Sequence, residues 1–336
     1  MPLRLIEMIL PQESGEPAQK LLSEQEVEGV WQETISGSRV LLRILVLAEK
    51  SEPLIDLLEK QFSGSQEFRL ILIPVAGSLP RVAEPEDKEE KPGSRSDFLI
   101  AGRVSREELY AQISDGSRLT PVYGIMVILS AIVAAIGLSR NNTAVVIGAM
   151  VIAPLLGPNI ALALGSILGD MALIRKSLKT NGAGLVLALA ISFILGTLLT
   201  VNPDNPQIVS RTHVGLIDVL LALASGVAGA LAFTSGAPAT LIGVMVAVAL
   251  MPPLVAAGLM VGARHLVLGL GGIWLLLTNM ICINLAAVTT FWAQGVRPTT
   301  WWEENVARRA TILSVLSSTA LLLALVLILV FARRVF

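Results

Sequence analysis

Charge is scarce in this chain. Asp, Glu, Lys and Arg make up 15% of its 336 residues, against roughly 25% in an ordinary soluble domain. The shortage is uneven. Residues 1–118 hold 35 of the 51 charged side chains, 21 acidic and 14 basic, whereas residues 119–336 hold 16, of which 5 are acidic and 11 basic. An acidic head of net −7 therefore precedes an apolar body of net +6. With a mean hydropathy of +0.72, this excludes a wholly soluble enzyme and a disordered chain. The single cysteine, Cys282, lies in an apolar run and can form no intramolecular disulfide, which excludes a disulfide scaffold. Two histidines, His213 and His265, are too few for a metal centre built from several imidazoles. Neither a glycine-rich phosphate loop nor a basic, aromatic-interleaved surface occurs, so nucleotide and nucleic-acid binding have no support. The first residues, MPLRLIEMILPQESGE, show no long apolar stretch before the first acids. No cleaved signal peptide is expected, and the head is expected to stay in the cytoplasm.

The head reads as alternating short elements. Leu3–Leu10 alternates apolar and polar residues as a strand does, and Gly15–Glu26 carries a short helical pattern through Ala18, Leu21 and Leu22. Strands over Val27–Ile35 and Val40–Ala48 flank a hairpin turn at Ser36-Gly37-Ser38. Ser51-Glu52-Pro53 has the pattern of a helix start with Ser51 as N-cap, and Phe68–Val75 closes the series as a strand. The order β-α-β-β-α-β predicts a ferredoxin-like α+β domain over 1–79. Domains of this ACT-like kind serve either as small-ligand regulators or as docking and assembly modules. Residues 80–120 form a connector: a charged, proline-containing linker (80–97), then a capping-box helix from Ser105-Arg106-Glu107-Glu108 to Asp115-Gly116, expected at the membrane surface.

The body, 121–336, is a polytopic α-helical membrane domain. A bilayer needs about 20 apolar residues per helix, and seven stretches approach that. They are Pro121–Leu138, Thr143–Leu168, Gly182–Val201, Gly215–Phe233, Ala239–Gly262, Leu266–Trp292 and Ala310–Phe331. With the N-terminus inside, nine Lys and Arg flank the inner ends and five the outer ends, the bias that favours this orientation in a cell (inner) membrane. The Arg333-Arg334 pair counts against it.

The second and fifth spans share a pattern. Ile147-Gly148-Ala149-Met150-Val151 aligns with Ile242-Gly243-Val244-Met245-Val246, and each then meets a proline-rich break. The breaks are Ala153-Pro154-Leu155-Leu156-Gly157-Pro158 and Met251-Pro252-Pro253-Leu254. Each broken span is the middle one of three. Three crossings per copy turn the copies opposite ways, so repeat one (121–201) and repeat two (215–292) form a 3+3 inverted repeat, followed by a terminal helix (310–331). Proline removes a backbone donor and frees a carbonyl. In lipid such groups survive only where protein or a water-filled cavity serves them. The breaks are therefore either packing kinks or a binding path.

Polar residues in the spans are few. Asn141 and Asn142 end the first hairpin, Asn159 follows the first break, and Asn279 and Asn284 lie on the sixth span, five residues apart and so on different faces. They read as interhelical hydrogen-bond formers or as part of the path. Asp170 and Asp218 stand near helix ends, and no Lys or Arg lies deep in a span. A neutral solute, or a small ion held by backbone groups, suits such an interior. Small residues at Gly182-Ala183-Gly184 and Gly226-Val227-Ala228-Gly229 permit close helix contact and are compatible with a homo-oligomer.

Residues 105–165, and most specifically VVIGAMVIAPLLGP at Val145–Pro158, closely resemble the core motif of a prokaryotic membrane family. It is known as a domain of unknown function, or uncharacterised hydrophobic domain. The likeness extends to about residue 293, with the second-repeat Met251-Pro252-Pro253 a looser match, and it supports the fold without implying an activity.

The expected function is a transporter or channel for a small ion or neutral solute. Its path lies between the repeats and is expected to use Asn141, Asn142, Pro154, Gly157, Pro158, Asn159, Met251, Pro252, Pro253, Asn279 and Asn284. The head would regulate it. The alternative is a non-transporting sensor or scaffold that presents the head to cytoplasmic partners. Cys282 has no His or acid near it in sequence, so no catalytic pair, cofactor or metal site is expected.

Overall fold

A computed structural model describes residues 3–35, 38–65, 67–75, 104–236 and 249–297, with single helical positions at 312, 316 and 320. The linker 80–97, Ser36-Gly37 of the hairpin, the Ile242–Val246 motif and, those three positions apart, the seventh expected span lie outside the described residues. The chain divides between Leu109 and Tyr110 into two compact units.

In the first unit, β1 (Leu3–Pro11), α1 (Gly15–Ser23), β2 (Gly29–Ile35), β3 (Arg39–Leu47), α2 (Ala48–Phe62) and β4 (Arg69–Val75) follow the expected order. The strands form an antiparallel sheet in the order β2-β3-β1-β4, the split β-α-β connectivity. Alternation dictates the core. Ile6, Met8 and Leu10 of β1 and Leu42, Ile44 and Val46 of β3 share one face, packed with Leu22 of α1 and Leu54 and Leu58 of α2. One expectation fails: Ser51 is not the N-cap of α2. The helix begins at Ala48, and the Ser51 hydroxyl donates back to the Ala48 carbonyl at 2.6 Å. Pro53 then falls inside the helix, where it forgoes one backbone bond and leaves the helix continuous.

Helix α3 (Arg106–Gly116) contains the division. On the first-unit side Ser105 Oγ accepts the Glu108 N–H at 3.3 Å, as the capping box predicts. The Glu108 carboxylate accepts from Arg4 at 2.8 and 3.2 Å, and Arg106 donates to Asp56 of α2 at 2.9 Å. Burial disfavours the Arg106 charge, but bonds to Glu107 and Asp56 outweigh it, so its pKa is raised.

The second unit comprises α4 (Pro121–Ser139), α5 (Thr143–Ile152), α6 (Leu156–Leu168), α7 (Met171–Leu198), the short α8 (Pro206–Val209), α9 (Leu216–Thr234), α10 (Met251–Gly262) and α11 (Leu266–Ala293). Helices α4, α7, α9 and α11 are long and apolar enough to cross a membrane, and α5 with α6, bent by 51° at their break, is either a fifth, broken span or a re-entrant loop. The seven expected spans are thus four or five among the described residues. Of the fifth expected span only the 12-residue α10 is described together with the Ala249-Leu250 turn before it. The start of the third expected span, Gly182–Val201, is also corrected, because the residues before it, Met171–Asn181, are the first part of α7. Asp170 accepts from the N–H groups of Ala172 and Leu173 at 2.9 and 3.0 Å and so starts the helix there. Hydropathy marks where α7 turns apolar, not where it begins.

Helix bounds recur at one interval. α4 and α9 start 95 residues apart and each has 19 residues; α7 and α11 start 95 apart and each has 28; α6 and α10 start 95 apart with 13 and 12. Packing recurs as well. α7 lies against α4 and α6 as α11 lies against α9 and α10, while α6 meets α11 and α10 meets α7.

Candidate functional site: two helix breaks and their asparagines

At the first break Pro154 offers no N–H, α5 stops at Ile152, and Ala153 takes the extended conformation (φ −65°, ψ 119°) that a following proline imposes. α6 restarts at Leu156 with Pro158 in its first turn, where a missing donor costs nothing. At the second break Pro252 and Pro253 occupy the first turn of α10. They mark a helix start rather than a kink within a helix.

Helices α6 and α10 are both interior elements. Ten of thirteen residues of α6 and eleven of twelve of α10 are buried, Pro158, Met251, Pro252 and Pro253 among them. Outward positions such as Val186, Ile217 and Val267 are 68%, 82% and 84% exposed, as a lipid-facing surface requires.

Carbonyls at the breaks have side-chain partners. Ser130 Oγ donates to the Ala149 carbonyl at 2.7 Å, and Asn279 Nδ2 donates to the Ala249 carbonyl at 2.6 Å. The amides retain unused capacity. Asn159 (1% exposed) and Asn284 (8%) each have an Nδ2 without a partner, and so does Oδ1 of Asn279 (5%). They are three of eight such atoms among the described residues of the second unit, and a buried polar atom left unbonded costs about 1–3 kcal/mol.

The 95-residue interval exposes an exchange. Asn159 in α6 corresponds to Leu254 in α10, and Gly184 in α7 to Asn279 in α11. Gly184 abuts the first break: a Cβ there would stand 3.0 Å from Leu155 Cδ2 and 2.3 Å from the Tyr123 hydroxyl. Asn279 abuts the second through Ala249. Each break thus has one buried asparagine, supplied by the restarted helix in one case and by the long neighbouring helix in the other.

Other expected site residues do structural work. Asn141 adopts φ 51° in an exposed turn, and Asn142 caps α5 by accepting the Val145 N–H at 3.2 Å. Both stand a whole helix away from the break. Gly157 is a close-approach position, since a Cβ there would lie 2.4 Å from the Gly116 carbonyl oxygen. Pro154 lines an open cleft of about 380 Å³ with Gly116, Arg118, Thr120 and Tyr123. Gly184 and Gly226 serve contacts inside the chain, to Tyr123 and to Ile283 and Ala286. Sequence reasoning missed Ser177 and Asn181, buried on α7 with Oγ and Nδ2 unpartnered. They fell in the stretch read as a connection.

The two aspartates near helix ends are caps. Asp218 accepts the Gly215 N–H at 2.8 Å. Asp170 also accepts the Tyr110 hydroxyl at 2.7 Å. Burial opposes the Asp170 charge, yet its three hydrogen bonds hold its pKa below the usual carboxylate value, and bonding to Asp170 pushes Tyr110 up to about 12. Further along, Lys176 Nζ donates to the Ser114 carbonyl at 2.9 Å and Thr180 Oγ1 to the Ser117 carbonyl at 2.8 Å. Residues 110–117 are thereby strapped along the start of α7.

Several long apolar helices around the buried α6 and α10 define a multi-pass helical membrane protein. The family profile described as Domain of unknown function (DUF389) matches residues 150–285, from just before the first break to the inner part of α11. An uncharacterized protein of Methanocaldococcus jannaschii, MJ0678, is 36% identical over 296 residues, which cover 88% of this chain and 89% of that protein. The chain belongs to this family of unknown function. No solved structure matches it.

Proposed function

We propose that the protein is a membrane transporter or channel for a small solute, with its path between two inverted repeats of three spans each. One observation carries the reading: equivalent buried half-helices begin 95 residues apart, each crosses onto the long helix of the other repeat, and each break has a buried asparagine with an unused polar atom. Kinks that served packing alone would need no unbonded amide. The bias of Lys and Arg supports a cytoplasmic head, which would then regulate the path from the inner-membrane side, and the protein acts without catalysis.

The test is flux in proteoliposomes. Pro154→Ala and Pro252→Ala each restore a backbone donor, and both are expected to cut flux at least tenfold while the melting temperature in detergent stays within a few degrees. Val186→Ala, on the outward face, is expected to change nothing. Unaltered flux in both proline variants, with the parent active, would move the assignment to a scaffold. That second reading is favoured by the tight α7–α10 contact, where Gly258 and Gly262 meet Ser192 and Gly196.

A further inference from the structure

The chemistry left open at the breaks narrows the solute class. A dehydrated cation needs carboxylates or free carbonyls, and an anion needs Lys, Arg or several aligned N–H donors. Across residues 121–292, which hold both repeats and their connection, the acids are Asp170, Asp204 and Asp218, in loops or at helix starts. The basic residues within helices, Arg175, Lys176 and Lys179, fall in the first three turns of α7. Among the described residues from Tyr110 onward, the buried oxygen- and nitrogen-bearing side chains are Ser, Thr, Asn, Gln and Tyr123, all uncharged. Beside the breaks, the Ala149 carbonyl accepts from Ser130 and from the Ala153 N–H at 3.1 Å, and the Ala249 carbonyl accepts from Asn279. What remains unbonded among the described residues of this unit is neutral: Nδ2 of Asn159, Asn181 and Asn284, Oδ1 of Asn279, Oγ of Ser139 and Ser177, and Oε1 of Gln207 and Gln294. An amide presents both a donor and an acceptor, so this set suits a molecule that needs both and carries no charge.

Resting on the transport reading above, we infer that the permeant species is a small uncharged hydrogen-bonding solute of the water, urea or polyol class, handed between amides at the two breaks. The exchanged asparagines set the requirement: one amide per break, from either helix. Leu254, 2% exposed in the first turn of α10, stands where Asn159 stands in α6. An asparagine placed there should substitute for Asn279.

The experiment uses the full chain in liposomes, with stopped-flow light scattering for water, urea and glycerol, and ion-sensitive dyes for K⁺ and Cl⁻. At least one neutral solute should cross several-fold faster than in protein-free vesicles, with K⁺ and Cl⁻ at the protein-free level. Asn159→Leu and Asn279→Gly should each reduce the neutral flux tenfold or more, and Leu254→Asn should restore most of it to Asn279→Gly. Asn159→Ser, which keeps a hydroxyl in a smaller volume, should retain an intermediate rate and covers the case in which Asn159→Leu fails to fold. K⁺ or Cl⁻ flux without neutral flux overturns this inference and leaves the transport reading standing. Absence of flux for every probe overturns both. Neutral flux unchanged in the asparagine variants removes the amides from the path.

Discussion

At the scale of single residues, glycine and asparagine both stand in the buried interior around the breaks, and their roles are hard to tell apart in a sequence. Gly157 stands in a proline-flanked break and reads as a path residue, yet its missing side chain admits the Gly116 carbonyl. Gly157→Ala should therefore lower thermal stability by about 1–3 kcal/mol, because the atom in the way is backbone and cannot rotate aside. Gly148→Ala, where a Cβ meets nothing within 4 Å, should be neutral or gain up to about 1 kcal/mol from helix propensity. Melting curves of the two variants in one detergent decide it, and equal melting would refute the close contact. A glycine records that something approaches without recording what does. Asparagine has the opposite ambiguity. Asn142 and Asn159 are both polar residues next to an apolar run, but one caps an exposed turn and the other is buried with an unbonded amide. Only the packing of α6 separates them.

At the scale of elements, periodicity and capping made most boundaries legible. The strands of the head, the Ser105 cap and the first break all fall within a residue or two of their expected places. The start of α7 was not legible, because Arg175, Lys176 and Lys179 lower the hydropathy of a segment that propensity and the Asp170 cap nonetheless keep helical. Asp170 should be the sensitive point. Its pKa is lowered in the folded protein, so the stabilisation it provides is complete above the ordinary carboxylate range. That stabilisation fades as pH falls through this range towards the lowered value. Asp170→Ala should cost about 1 kcal/mol near neutral pH, the usual worth of a helix cap. The gap between variant and parent melting temperatures should narrow on acidification from pH 7 to pH 3.5. Tyr110→Phe, which deletes one of the three bonds to Asp170, should reproduce part of the loss. A gap constant across that range would mean that the carboxylate is not held charged by these bonds.

At the scale of the whole molecule, the repeat was visible in sequence only at Ile147–Val151, Ile242–Val246 and the two proline clusters. Side chains elsewhere have diverged: Asn159 has become Leu254, Gly184 has become Asn279, and the charged start of α7 corresponds to the apolar Leu266–Leu277. Helix length and register persist where residue identity does not, since span length is fixed by bilayer thickness and break position by the partner helix. If the copies are inverted, equivalent positions must face opposite sides of the membrane. Met171 and Leu266 open the two 28-residue helices and are 51% and 60% exposed. In a Cys282→Ser background, Leu266→Cys should react with a membrane-impermeant thiol reagent added to intact cells. Met171→Cys should react only after the membrane is opened. The reverse pattern would keep the inverted repeat and turn the head outward. Labelling of both from the same side would mean that three crossings do not separate the two starts, and the paired breaks would lose the symmetry on which a shared path depends.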